Sequence, residues 1–146
     1  MRLSALLLLA SGLCYACDCS EPSVQVKRDH AEIIFRGKIV ELRDSSKPAP
    51  PDFGHDTKKT VVFKVSRVWK GQVGPTFEMP GVTETSACWG FWPSYLKVGE
   101  DLLVYAVRFE GEYFTAICGD HKPAKYAEQD FKTLGPGKEP QASASK

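Results

Sequence analysis

Polar and apolar residues alternate through several stretches of the chain, and that two-residue period predicts strands. Between Glu32 and Leu42, Ile33, Phe35 and Ile39 share one face, and Gly37 stands where a further side chain is due. A glycine inside a strand marks a bend or a bulge. From Thr60 to Trp69 the alternation runs through Val61, Phe63 and Val65, and then Val68 falls out of phase, so one extra residue is expected near Ser66-Arg67. A shorter strand fits Thr76 to Met79, ended by Pro80-Gly81. Asp101 to Phe109 is apolar on both faces, with Leu103, Tyr105 and Val107 on one and Leu102, Val104 and Ala106 on the other, as a central strand should be. Glu110-Gly111-Glu112 turns it into a fifth strand, Tyr113 to Cys118, closing a hairpin.

Helical spacing occurs near both ends. Ser20 and Pro22 suit a helix start, and Ser23 to His30 is long enough for two turns. Ala124, Ala127, Phe131 and Leu134 recur at intervals of three, four and three, which makes one helix face, stopped by Gly135-Pro136 and expected to pack on the sheet. Residues 45–58 hold three prolines and a glycine and predict a long exposed loop. Residues 88–95, rich in aromatics and broken by Gly90 and Pro93, predict a structured loop over the barrel. Residues 136–146 are polar and simple in composition and predict a disordered tail. There is no internal repeat. Five strands flanked by helices predict an all-β fold, a five-stranded barrel of the oligonucleotide/oligosaccharide-binding (OB) type, over residues 17–135.

The first 16 residues change the picture. Arg2, the run Leu6 to Ala10 and the small residues Cys14 and Ala16 follow the three-part plan of a secretory signal peptide, so the mature chain is expected to begin at Cys17 and to be secreted. The apolar run is too short to span a bilayer, and no later stretch approaches the ~20 residues needed. Of 146 residues, 130 remain, one domain's worth. Losing Arg2 leaves 18 basic against 18 acidic side chains, a balance that gives no overall electrostatic reason to bind nucleic acid or anionic lipid.

With Cys14 removed, Cys17, Cys19, Cys88 and Cys118 remain, and two disulfides are expected. A Cys17–Cys19 bond would close a small, strained ring and is discounted. Either remaining pairing ties Cys17-Asp18-Cys19 to points near Cys88 and Cys118, each bond contributing roughly 4 to 5 kcal/mol at most. The tripeptide reads as a structural staple or as a thiol-exchange pair. The latter is disfavoured because no Lys, Arg or His within it depresses a thiol pKa. Lipid attachment at Cys17 is a further alternative, poorly served by Leu13 and Cys14.

His30, His55 and His121 lack ligand spacing, so no metal site and no cofactor are expected. No Ser/His/Asp set or phosphate loop is present, and no enzyme activity is expected. Trp89, Phe91, Trp92 and Tyr95 read either as a binding hot spot or as a cap on the core beside a disulfide.

The Cys-x-Cys opening, the short helix, Phe35-Arg36-Gly37-Lys38-Ile39-Val40, the run from Val62 to Gly71, Thr85-Ser86-Ala87-Cys88-Trp89-Gly90 and Leu103-Val104-Tyr105-Ala106 together resemble the tissue inhibitors of metalloproteinases and the wider netrin-like module, from Cys17 to about Gly135. That resemblance implies Cys17–Cys88 and Cys19–Cys118 bonds. It also implies inhibition of a zinc metalloprotease in which the free α-amine and carbonyl of Cys17 chelate the protease zinc. Asp18 would then enter the adjoining pocket, and Thr85-Ser86-Ala87 would complete the ridge. The 45–58 loop would add contacts. The implied protein is a monomer whose partner is a metalloprotease or another extracellular protein. The chain departs from the family in carrying Asp18 where a small hydroxyl residue is usual, and in lacking a third disulfide.

Overall fold

A computed structural model describes residues 19–44, 58–82 and 88–142. The expected 45–58 loop lies almost wholly outside them. The elements run α1 (Val24–His30), β1 (Ile33–Asp44), β2 (Lys58–Lys70), β3 (Thr76–Val82), β4 (Asp101–Phe109), β5 (Glu112–Phe114), β6 (His121–Pro123) and α2 (Glu128–Leu134). All strand pairing is antiparallel, in the order β3-β2-β1-β4-β5. β6 pairs with β4 at Leu102–Val104, and β5 pairs with it further along at Val107–Phe109. Phe77 on β3 and Tyr113 on β5 bring their rings to 5.7 Å, so the sheet curls until the two ends of its path approach each other. The architecture is therefore mostly β, a curled antiparallel half-barrel with two short helices.

The concave side holds the main core: Ile33, Phe35 and Ile39 from β1, Val61, Phe63, Val65 and Val68 from β2, and Leu102, Val104 and Ala106 from β4. Phe35 and Phe63 meet edge to face at 5.2 Å. On the convex side Ile34, Leu103 and Tyr105 are covered by Ala31 after α1 and by Ala127, Phe131 and Leu134 of the α2 region. β4 is thus buried on both faces, as its sequence predicts. Trp69 stacks on Phe131 at 5.4 Å and donates its indole N–H to the Gly135 carbonyl at 2.8 Å, clamping the end of α2.

The phase slip in β2 is a bulge. Arg36 faces Arg67 and Gly37 faces Val65, leaving Ser66 as the extra residue, and its hydroxyl donates to the Arg36 carbonyl at 3.3 Å. The hairpin turn uses positive φ at Glu110 (48°) and Gly111 (85°), the pairing a two-residue turn between right-twisted strands requires. Ser23 caps α1 by accepting from Val26 N at 3.3 Å.

Several boundaries differ from expectation. β3 continues through Pro80 and Gly81, because Thr60 and Lys59 still face them while a Cβ on Gly81 would collide with Val61. β5 stops at Phe114: from Thr115 the chain leaves the hairpin to pair with Gly90 and Trp89. β6 was not anticipated, since three residues ending in proline carry no strand signal. The single helix expected from Ala124 is a 3-10 turn, Ala124–Tyr126, followed by α2. In the expected tail, Lys138 pairs backbone to backbone with Val68.

Gly37 lies under the Phe35–Phe63 contact, where a Cβ would sit 3.2 Å from Phe63 Cβ and 3.3 Å from the Phe35 ring. Gly37→Val overpacks that crossing and is expected to destabilise the fold by about 1 to 3 kcal/mol, measured by urea unfolding. A variant as stable as the parent would show that the bend does not depend on a missing side chain.

Candidate functional site

Of the expected ridge, Cys17, Asp18, Thr85, Ser86 and Ala87 lie outside the described residues. Their neighbours Cys19 and Cys88 lie within them, and both come to one short segment, Thr115 to Cys118. Cys19 is bonded to Cys118, with Cα atoms 4.8 Å apart. Ile117 N donates to the Cys88 carbonyl at 2.9 Å, and Gly90 N donates to the Thr115 carbonyl at 2.6 Å. Cys88, itself disulfide-bonded, adopts a left-handed φ of 61°. That conformation is costly for a residue with a side chain and persists where surrounding bonds fix it. The expected Cys17–Cys88 bond falls on Cys17, outside the described residues.

His121 locks this segment from behind. Trp92 N donates to His121 Nε2 at 3.0 Å, so the proton sits on Nδ1, which donates to the Ala116 carbonyl at 3.1 Å, with Thr115 Oγ1 at 3.3 Å. The Phe91 and Tyr95 rings pack on the imidazole at 4.8 and 5.9 Å. Burial pushes its pKa down to about 4 despite the opposing bond to Ala116. The aromatic segment therefore caps the core: Phe91 is buried and Tyr95 packs against the core, while Trp92 stays 44% exposed.

The chain leaving Cys19 is held by a buried ionic cluster. Lys27, only 3% exposed, reaches Asp130 Oδ1 at 3.2 Å, the Gly119 carbonyl at 3.3 Å and Glu21 Oε1 at 3.4 Å. Lys122 bridges Glu21 at 2.6 Å and Asp130 at 3.2 Å, and the Tyr105 hydroxyl donates to Asp130 at 2.9 Å. Burial alone would raise the Asp130 carboxyl, but Lys27, the Tyr105 hydroxyl and Lys122 outweigh it and hold it below its usual range. The hydrogen bond from Lys122 lowers Glu21 likewise. Two residues after Cys19, the Glu21 side chain is thus tied directly to α1 and β6, and through their lysines to Asp130 of α2.

Between these anchors lies an open groove of about 440 Å³, lined by Cys19, Trp92, Tyr95, Ile117, Lys122 and Tyr126. Among the described residues that line it, none pairs a nucleophile with a base. Among the described residues no group of three or more His, Cys, Asp or Glu side chains can hold a metal ion. Sequence reading missed both His121 and the Lys27–Asp130–Lys122–Glu21 cluster, because their partners lie up to 103 positions apart. The one available signal was lysine at position 27 of a two-turn helix, on the face that turns inward.

His121 sets an acid limit. Its folded pKa lies below the ordinary 6.5, so between pH 6.5 and 4 the unfolded chain binds a proton that the folded one refuses. Stability is full above 6.5, falls by about 3 kcal/mol on the way to pH 4, and loses nothing more from this residue below that. His121→Phe is expected to lower stability at pH 7.5 and to flatten the decline between 6.5 and 4 in denaturation midpoints. An unchanged slope would assign the acid sensitivity elsewhere.

In comparison with known proteins, no family model matches the chain and no curated protein matches it.

Proposed function

We propose that this is a secreted, disulfide-bonded OB-type barrel of the netrin-like kind that inhibits a zinc metalloprotease through the α-amine and carbonyl of Cys17. The observation that carries the reading is the convergence of Cys19 and Cys88 on residues 115–118. The two chain segments that the inhibitory ridge needs, Cys17-Asp18 and Thr85-Ser86-Ala87, are each attached directly to one of those fixed points. The Cys19–Cys118 bond fits an oxidising compartment, and no helix among the described residues is long and apolar enough to cross a membrane.

The chemistry follows from what a protease zinc leaves open. A catalytic zinc keeps one position for water, and a neutral amine with the neighbouring carbonyl can fill it as a five-membered chelate. An α-amine titrates near pH 8, so the metal displaces its proton at modest cost. With Cys19 bonded to Cys118 and Glu21 paired with Lys122, the two residues that precede them would have little further entropy to lose on binding, and that saving would appear as affinity. Asp18 sets the limit: its carboxylate would enter an apolar pocket next to the protease's own catalytic carboxylate.

The second reading is a non-inhibitory extracellular binding module, supported by the exposed Trp92 and Tyr126 beside the groove. The two are separated by titrating zinc proteases with the mature chain and with a form bearing one added alanine before Cys17. Chelation requires inhibition by the first and a loss of at least about a hundredfold in the second, because the added residue moves the amine out of chelating position. Equal inhibition by both forms, or none by either, removes the mechanism. Asp18→Thr is expected to tighten inhibition at least tenfold by relieving the buried charge. Weaker inhibition by this variant would mean that the pocket recognises the carboxylate.

A further inference from the structure

Three aromatic side chains, Trp92, Tyr95 and Tyr126, line the groove beside the Cys19–Cys118 bond. Trp92 and the 68% exposed Tyr126 give it two open rings. Lys125 Nζ lies over the Tyr126 ring at 4.9 Å, and Tyr95 is set edge-on to His121, so two of the three rings are restrained before any ligand arrives. Their polar tips are free: the Trp92 indole N–H and the Tyr95 and Tyr126 hydroxyls hold no hydrogen bond among the described residues. The other polar groups of the groove are spent. Lys122 is taken up by Glu21 and Asp130. The backbone N–H groups of Trp92, Ile117 and Gly119 go to His121, the Cys88 carbonyl and the Ile117 carbonyl. Lys27 takes the Gly119 carbonyl, and Tyr105 N takes that of Asp120. A second hollow of about 550 Å³, lined by Pro22, Val24, Gln129 and Thr133, shares Lys122 and Tyr126 with the first, so Tyr126 stands where the two meet.

We propose that this groove binds a proline-rich peptide in the polyproline II conformation, with pyrrolidine rings against Trp92 and Tyr126 and carbonyls bonded to the Trp92 indole N–H and the tyrosine hydroxyls. Each proline offers a carbonyl acceptor and no N–H, which matches a surface whose unspent groups are donors. An ordinary extended strand would bring N–H groups to a floor whose carbonyls are already taken, and β6, the strand lining the groove, is three residues long and ends in Pro123. A charged ligand would have to displace Glu21 or Asp130 from Lys122. A polyproline II chain is extended before it binds, so it loses little freedom on docking against flat rings, and it can continue past Tyr126 into the second hollow. The inference deepens the reading of the chain as a binding module and rests on that reading, not on zinc chelation.

The test is calorimetric titration of the mature protein with an acetylated decaproline amide, beside a glycine-serine decapeptide and cellotetraose. Decaproline is expected to bind saturably in the micromolar range, with an affinity that changes less than about twofold between about 0.05 and 0.5 M salt, because no ion pair forms. Trp92→Ala and Tyr126→Ala are each expected to weaken it at least about tenfold. Trp92→Phe, which keeps a ring and loses the indole N–H, is expected to weaken it about threefold or more. Val98→Ala, which trims an exposed apolar side chain outside the groove, is expected to stay within about twofold. The Trp92 variants keep the backbone N–H that His121 accepts, and Tm is expected to stay within about 3 °C of the parent, so loss of affinity is not loss of fold. No saturable binding of decaproline, equal binding of the glycine-serine peptide, or unchanged affinity in the Trp92 and Tyr126 variants would each overturn the assignment. Cellotetraose bound in its place, and lost in the same variants, would overturn the peptide while leaving the groove a binding surface. Self-association that Pro50→Ala with Pro51→Ala abolishes would overturn it in favour of a second copy of the chain.

Discussion

The burial of β4 on both of its faces is the constraint from which the other packing follows. A strand with Leu102, Val104 and Ala106 on one side and Leu103 and Tyr105 on the other needs cover in both directions, and one sheet cannot supply it. The concave side is closed by curling β1 and β2 around Phe35, Phe63 and Phe91. The convex side is closed by Ala31 after α1 and by α2, both helices being too short to be stable alone; Trp69, Phe131 and Leu134 hold α2 there. β4 also carries β5 and β6 along one edge, and the chain between those two strands is the segment that receives Cys19 and Cys88. The segment that receives Cys19 is thus an extension of the most buried strand among the described residues.

The polar contacts divide according to how much water they have lost. Arg43 with Glu78 and Lys59 with Asp44 lie at the surface and add little. The Lys27–Asp130 pair is different, because each charge is almost completely removed from water and neither would be tolerated without the other. Tyr105, whose hydroxyl is pushed well above its ordinary pKa by burial and by the charge of Asp130, stays protonated and serves as a donor. Such a cluster fixes geometry more than it adds stability. Here it sets how Glu21, and with it the chain leaving Cys19, lies against α1 and β6.

Much of the framework was legible in the sequence where a period or a defect in a period was strong. The two-sided burial of Asp101–Phe109, the bend at Gly37 and the extra residue at Ser66 all follow from counting apolar positions, and the Cys19–Cys118 bond matches what the family resemblance implies. Features whose partners are distant in the chain left no such trace. Nothing local marks His121-Lys122-Pro123 as a strand, or His121 as the residue joining Trp92 to Ala116. Net charge hides position in the same way: the total is +1, yet register gathers Arg36, Lys38, Lys64 and Arg67 onto one face. Composition averages over positions, whereas a sheet sorts them.

The bulge at Ser66 has a consequence for how this chain tolerates change in length. Because one residue there sits outside the two-residue period, Arg67 and Val68 owe their facing to it. Removing Ser66 would turn Arg67 toward Phe35 and Val68 toward solvent, exchanging a cation for a core valine in one step. Substitution at Ser66 costs a single hydroxyl contact to Arg36, while deletion would invert the strand's end and detach Lys138 from its place beside Val68. The position is permissive to chemistry and intolerant of counting.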